Sequence, residues 1–300
     1  MEQMEKILQL IQKHGVCVYS VTEVENGRSR TVNLRDCSLA DTPVCRNIYS
    51  VAKAFTMAAV GLLYDERKLR LEDTIGEVLG PLPAGCDPKW AEVTVSDLLR
   101  HKTGYDKSLD SIKAYDLDCH DLRRFTDGDW LHFILSRPIT GRHGEEGSYT
   151  DTGYYVLSRM VARRAGMPMQ DYLRERLFNP LGFRDWAWYA CPMGHAYGGT
   201  GLVLSSTDMA KLGQLWLQLG QWEGRRILSE KWVRLALERR YVFSRLREGR
   251  ELFCKGGMYN QRLIFSYDEN RVLSILSYTH DIDLVLEELY PEKKECEERT

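Results

Sequence analysis

Residues 48–71 read IYSVAKAFTMAAVGLLYDERKLRL, and the first turn of that run governs how the rest of the chain is read. Ser50-Val51-Ala52-Lys53 is the only SxxK in the sequence. Ordinary Ser and Lys usage produces about one such match in a chain of this length, so the setting carries the argument. Ser50 to Leu63 reads as a helix, with Val51 and Phe55 on its buried side. Residues three apart share a helix face, which brings the Lys53 amine to the Ser50 hydroxyl. A helix start also presents N–H groups and the positive dipole end to an oxyanion forming there.

Composition limits the alternatives. The 300 residues, 43% of them hydrophobic, are enough for one large core or two modest ones sharing an interface. The 41 basic and 43 acidic residues give a net charge of −2, without the basic excess of a nucleic-acid binder. Arg163-Arg164 and Arg239-Arg240 fall near predicted helix C-termini, where cations suit the dipole, and read as solvated helix ends. Cys17, Cys37, Cys45, Cys86, Cys119, Cys191, Cys254 and Cys296 form no CxxC pair and no metal-ligand spacing. Residues 1–14 have no apolar signal core. Instead Met4, Ile7, Leu8 and Ile11 make one stripe of an amphipathic helix. These features read together as a cytoplasmic protein with free thiols. Trp186 to Thr207 contains no Asp, Glu, Lys or Arg, but Pro192, Gly194, His195, Gly198, Gly199 and Gly201 break it too often for a membrane helix. It reads as a buried loop and strand beneath a site, and no membrane contact is expected.

The pattern of elements is α+β. Val16 to Val24 and Arg30 to Leu34 predict two strands around an Asn26-Gly27 turn. From Leu71 to Asp185 the signals are mainly helical: a Thr94–Asp97 capping box with a stop at Gly104, Asp129 to Ser136, Thr152 to Arg164 ending at Gly166, and a helix from Met169 that stops before Pro180. Ser205 with Asp208 opens another helix to Gly220, and Ser229 one through Arg239. Strands follow at Leu252 to Tyr259, Gln261 to Tyr267 and Arg271 to Tyr278, before a final helix, Ile282 to Tyr290. Strands at both ends with helices between predict one antiparallel sheet built from both termini, carrying a helical insertion.

Four further stretches match one known family in order. The 48–71 run looks like the nucleophile helix of the serine β-lactamase and penicillin-binding protein family, in its class C and esterase-like branch. VTVSDLLRHKTGYD (Val93 to Asp106) resembles the following helix and its LLxHxSG turn. SYTDTGYYVLSRMVARRAG (Ser148 to Gly166) resembles the segment with the second motif, and GGTGLVLSSTDMAKLGQLWLQLGQWEGRRILS (Gly198 to Ser229) the stretch after the helical domain. Lys255-Gly256-Gly257 stands where the third, KTG-type motif belongs. The resemblance implies a β-lactamase/DD-peptidase-like fold, an antiparallel sheet flanked by helices. Residues 1–70 and 196–300 would form the sheet domain and 71–195 an inserted helical domain.

The resemblance also implies roles. Ser50 would attack a carbonyl and form an acyl-enzyme. Lys53 or Tyr149 would be the base, the first needing a lowered pKa. Lys255 would add positive charge, and the N–H groups of Ser50 and Met258 would form the oxyanion hole. Asp151, Gly256, Gly257 and Met258 would face substrate. Two departures stand out: Asp151 replaces the amide of Tyr-x-Asn, and Gly256 removes a hydroxyl that would bind a substrate carboxylate. Both lead to an expectation of a neutral or amine-bearing ester or amide rather than efficient β-lactam turnover. Asp151 is also a candidate N-cap for the helix after it. A catalytically silent relative that binds a ligand or partner, and acyl transfer to an acceptor other than water, are the other readings. The run Asp116, Asp118, His120, Asp121 fits no metal spacing and reads as a solvated loop. His101, His143 and His195 read as structural. No metal, cofactor or nucleic-acid partner is expected, and the oligomeric state is not legible.

Overall fold

Asn26 and Gly27 both take positive φ, 50° and 76°, as a two-residue hairpin with strand-matched twist requires. They join β1 (Val18–Glu25) to β2 (Arg28–Asn33). The computed structural model describes residues 2–35, 44–105 and 130–292. Cys37, Cys119, Cys296, the 116–121 acidic run, Asp106 and Asp129 lie outside the described residues. Three short strands, β3 (Cys45–Asn47), β4 (Ala187–Trp188) and β5 (Leu202–Ser205), form a small sheet in the order β3-β5-β4. A ribbon of β6 (Gln221–Trp222) and β7 (Arg225–Arg226) precedes β8 (Ser244–Arg245), β9 (Leu252–Gly257), β10 (Gln261–Ser266) and β11 (Arg271–Ser277). The main sheet runs β2-β1-β11-β10-β9-β8, with Val21 of the first hairpin opposite Ile275 near the other end of the chain. Both termini therefore build one antiparallel sheet, as the pattern predicted.

Each face of that sheet is covered. The terminal helices Glu2–His14 and Ile282–Leu289 close the outer face, packing Met4, Ile7, Ile282 and Val285 with Val21, Ile264 and Ile275. Lys13 and His14 both reach Glu288, at 2.8 and 2.7 Å. The helix Ser206–Leu217 lies on the inner face, against β1, β10 and β11. It comes so close at Gly213 that a Cβ there would sit 2.6 Å from Val272. Ser205 caps this helix through the Asp208 amide, and Ser229 caps the helix Glu230–Glu238 through that of Trp232.

The helix Ala52–Asp65 differs from its predicted form. The sequence suggested one buried side, but every residue from 51 to 63 is buried. The cause is its position between the helices Thr152–Ala165, Met169–Leu173 and Glu230–Glu238, which leaves no solvent side. Capping boxes start the helices Ile75–Leu79 and Val95–Leu99, at Thr74–Glu77 and Thr94–Asp97. Trp130–Leu135 follows, and Thr152–Ala165 ends at Gly166 with φ 74°. The helix from Met169 widens into a π-helical turn, Arg174–Phe178. Strand β9 ends two residues before its predicted limit, because Tyr259 and Asn260 turn at φ 54° and 63°. Among the described residues no helix is long and apolar enough to cross a membrane.

Candidate active site

Ile48 anchors the turn that presents Ser50. Its side chain is fully buried, and its amide donates to the Leu202 carbonyl at 2.9 Å, holding the end of β3 against β5. The Tyr49 amide donates to Asn47 Oδ1 at 2.8 Å, and Tyr49 itself takes φ 48°, an uncommon conformation for a bulky residue. The 3₁₀ turn Tyr49–Val51 then runs into the buried helix, leaving Ser50 half-buried at its mouth.

Lys53 is 1% exposed. Its Nζ donates to Ser50 Oγ at 3.3 Å and to the Gly199 carbonyl at 3.0 Å, and it forms an ion pair with Asp151. The rings of Tyr149 and Tyr154 face the same charge, with centroids 4.6 and 5.5 Å away. Burial alone would drive the amine neutral. The negative charge of Asp151, followed by that of Tyr149, outweighs burial and holds Lys53 above the ordinary lysine range. The lowered value expected for Lys53 is thus reversed, and the carboxylate at 151 is the reason. Asp151 occupies the N-cap position of its helix with helical φ/ψ, but its side chain makes no cap bond. Its carboxylate is turned to Lys53 instead. Gly199 makes room for this pairing, since a Cβ there would lie 2.8 Å from the Asp151 Cβ.

Tyr149 leaves 45% of its surface exposed, while its hydroxyl accepts a hydrogen bond from Lys255 Nζ at 3.2 Å. Burial of the phenol end opposes ionisation. The cations of Lys53 and Lys255, with hydrogen bonds to Ser50 and Lys53, overcome that and hold Tyr149 below the ordinary tyrosine range. Lys255 is lowered in turn, first by burial and also by the Lys53 charge, against the opposing pull of Tyr149.

Gly257 explains itself by distance: a Cβ there would lie 2.5 Å from the Ile48 carbonyl and 3.3 Å from the Ser50 nitrogen. Only a glycine lets the end of β9 approach the Ser50 turn so closely. Met258 follows at once, 41% exposed. Gly256 has a different reason. A Cβ there would meet the Arg262 guanidinium at 2.6 Å, and Arg262 continues to Asp283 at 2.9 Å. Gly256 leaves space for that arginine.

The structure brings His101, expected to be structural, into the same cluster. Its ring lies 4.3 Å from that of Tyr149 and 5.2 Å from that of Tyr154. Nδ1 accepts from the Thr150 amide at 3.4 Å, which leaves the ring proton on Nε2. Burial, then the charges of Lys53 and Lys255, push its pKa down to about 3. The signal for His101 was already in the LLRHKTG run, and that for Gly199 in the GGTG run. His101, Lys53, Tyr149, Tyr154 and Lys255 border a cavity of about 350 Å³, within the range of small-ligand pockets. A larger one of about 620 Å³, bordered by Leu237, Phe253 and Tyr267, contains none of these groups.

The arrangement can activate an alcohol. Ser50 has a phenol of lowered pKa and a buried ammonium in reach, and a glycine strand end beside its backbone. The sequence profile of the beta-lactamase family matches residues 45–282. Penicillin-binding protein 4 of Amycolatopsis lactamdurans is 37% identical over 139 residues, which is 45% of this chain and 34% of that protein. The alignment thus spans about a third of that relative's length. Among solved structures, EstCE1, a hydrolase with promiscuous acyltransferase activity, superposes with a TM-score of 0.73 at 15% identity, over 96% of this chain and 98% of that one. A class C beta lactamase from Rhodobacter sphaeroides gives a TM-score of 0.66 at 16% identity, over 96% of each chain.

Proposed function

The chain belongs to the beta-lactamase family, whose members are serine hydrolases, and from that premise we propose that Ser50 forms an acyl-enzyme on an ester or amide substrate. The observation that carries this reading is the Ser50–Lys53–Tyr149–Lys255 cluster. Lys53 donates to the Ser50 oxygen, and Tyr149 is lowered by two cations. Tyr149 is the base in this reading, because Asp151 keeps Lys53 protonated. The phenolate takes the Ser50 proton as Oγ attacks the carbonyl carbon. The N–H groups of Ser50 and Met258 hold the oxyanion, aided by the helix dipole. Tyr149 then passes its proton to the leaving oxygen or nitrogen, and an ester remains on Ser50. Water, deprotonated by the same phenolate, attacks that ester. The acid departs and Ser50 recovers a proton.

The substrate in this reading is a small ester or amide, handled in the manner of an esterase or peptidase. Acyl transfer to another nucleophile differs only in which group attacks the Ser50 ester. Intact-mass analysis after fluorophosphonate treatment tests the proposal, with wild type gaining one adduct and Ser50→Ala none. Labelling that persists in the variant removes Ser50 as nucleophile. Labelling absent from both proteins favours a silent relative that only binds.

A further inference from the structure

Resting on that hydrolase reading, we propose that Tyr49 and Tyr259 are positioning residues, whose ring contact holds the Ser50 and Met258 N–H groups at the separation a forming oxyanion needs. Tyr49 immediately precedes Ser50, and Tyr259 immediately follows Met258. The two donors thus sit on separate segments, one entering the buried helix and one leaving β9. The rings of the two tyrosines meet edge to face across that junction, with centroids 5.4 Å apart at 70°, a geometry that aromatic pairs favour.

Tyrosine is an unusual choice at both positions. Tyr49 and Tyr259 take φ 48° and 54°, a region that bulky residues seldom enter and that glycine or asparagine enters readily. Such strain persists only where the surroundings over-determine it. Around Tyr259 they do. The Gln261 amide group, in a residue 1% exposed, donates to the Met258 and Ser277 carbonyls at 3.3 and 2.6 Å and accepts from the Ser277 amide at 3.1 Å. The Ser277 hydroxyl lies 2.8 and 2.7 Å from the carbonyl oxygens of Tyr259 and Asn260. On the other segment, Asn47 Oδ1 holds the Tyr49 amide. A turn alone would be served by glycine. What tyrosine adds is a ring, and the rings are what meet. Tyr278 stacks on Tyr259 at 4.3 Å and ties the pair to the end of β11.

The approach of Gly257 to the Ile48 carbonyl sets how near the two segments come. One contact defines a distance and leaves the segments free to pivot, whereas a second defines their orientation. The ring pair is that second contact. Oxyanion donors act on charge that develops in the transition state, so a loosened pair costs turnover more than binding. Acylation and deacylation both pass through a tetrahedral oxyanion, and both slow together, leaving KM little changed.

The test uses para-nitrophenyl butyrate and its thiono analogue, in which sulfur, a poor hydrogen-bond acceptor, replaces the carbonyl oxygen. Rates are counted per Ser50 titrated with fluorophosphonate, so unfolded molecules do not enter. Asparagine tolerates a left-handed backbone, so Tyr49→Asn and Tyr259→Asn remove the ring and spare the turn. Each should lower kcat for the oxygen ester by roughly tenfold to a hundredfold, with KM within about twofold. The oxygen-to-sulfur rate ratio should fall by about tenfold, because the thiono ester depends less on the donors. The double variant should lose much less than the product of the two single losses, since either change breaks the contact. Tyr49→Phe and Tyr259→Phe keep the rings and should recover most of the rate. If the Asn variants fail to fold, Tyr278→Ala decides. Tyr278 is 55% exposed, and removing its support from Tyr259 should lower the ratio severalfold. An unchanged ratio, multiplying losses in the double variant, or Phe variants as slow as the Asn ones would each overturn the proposal, while wild-type turnover keeps the hydrolase reading. A raised KM or an altered preference between butyrate and phenylacetate esters, at an unchanged ratio, would overturn it as well and put the rings against the acyl group. A wild type that neither hydrolyses the ester nor takes the label ends both readings.

Discussion

At the scale of residues, Asp151 decides how proton work would be divided in the proposed reaction. An amide at that position would leave burial to lower Lys53, while the carboxylate keeps it an ammonium and makes it a charge that lowers Tyr149. Asp151→Asn preserves volume and removes that hold. Lys53 should then lose charge and Tyr149 regain its proton more readily, so the acid limb of the kcat/KM profile should move to higher pH. A limb that stays in place under Asp151→Asn would show that Tyr149 does not titrate in catalysis. Tyr149→Phe should lower kcat by about 10²–10⁴-fold, the usual worth of a general base, with the melting temperature little changed. His101 makes a separate prediction about stability. Its folded pKa, about 3, lies below the ordinary 6.5, so between those values the unfolded chain binds the extra proton. Stability from this group is present above pH 6.5 and drains away as pH falls towards 3. At about 1.4 kcal/mol per unit the loss is on the order of a few kcal/mol. Urea titrations across that window should show the decline in wild type and a flatter dependence in His101→Gln. The Ser50–Lys53 contact was legible because it is local, three residues along one helix. The Lys53–Asp151 pair spans 98 positions, and its electrostatic outcome depended on packing that no local pattern contains.

At the scale of elements, legibility followed hydrogen-bond range. Helix starts with a capping residue, at Thr94, Ser205 and Ser229, were readable because the cap and its partner amide lie three residues apart. Strands β1, β10 and β11 were readable from length and β-branched content. Strands β3, β4 and β8 were not, since two or three residues carry no periodicity and their partners are supplied by distant segments. Yet the β3–β5 junction is what fixes the turn before Ser50. The end of β9 has the same character: its geometry is set by the approach of Gly257 to the Ile48 carbonyl. Gly257→Ala forces a methyl to within 2.5 Å of that oxygen, and the flexible end of a side chain is not there to yield. The strand end must retreat from Ser50. Misplacement of about 1 Å can cost roughly a hundredfold in rate, whereas overpacking costs about 1–3 kcal/mol of stability. Fluorophosphonate labelling should therefore slow far more than the melting temperature falls. Equal labelling rates would mean that this close approach does not position the reacting groups.

At the scale of the whole molecule, the sheet separates two apolar clusters with different duties. The inner one is continuous from Phe55 and Leu98 through Tyr154 and Leu212 to Phe265, so the helices of the 71–195 segment and the inner sheet face share one core. Lys255 projects from the same face of β9 as Phe253, which belongs to that inner cluster, so the proposed site is tied to it. The outer cluster holds the two terminal helices and no residue of the proposed site. Damage to the outer layer should thus be felt as lost stability without lost chemistry. Ile7 is fully buried there, and Ile7→Ala removes three carbons from a packed surface. Such truncations cost about 2–5 kcal/mol. The variant should melt earlier and unfold at lower urea, while its kcat/KM per folded molecule, measured well below the transition, should match that of wild type. A fall in rate among fully folded molecules would mean that strain crosses the sheet from the terminal helices to Ser50, and that the two faces act as one device.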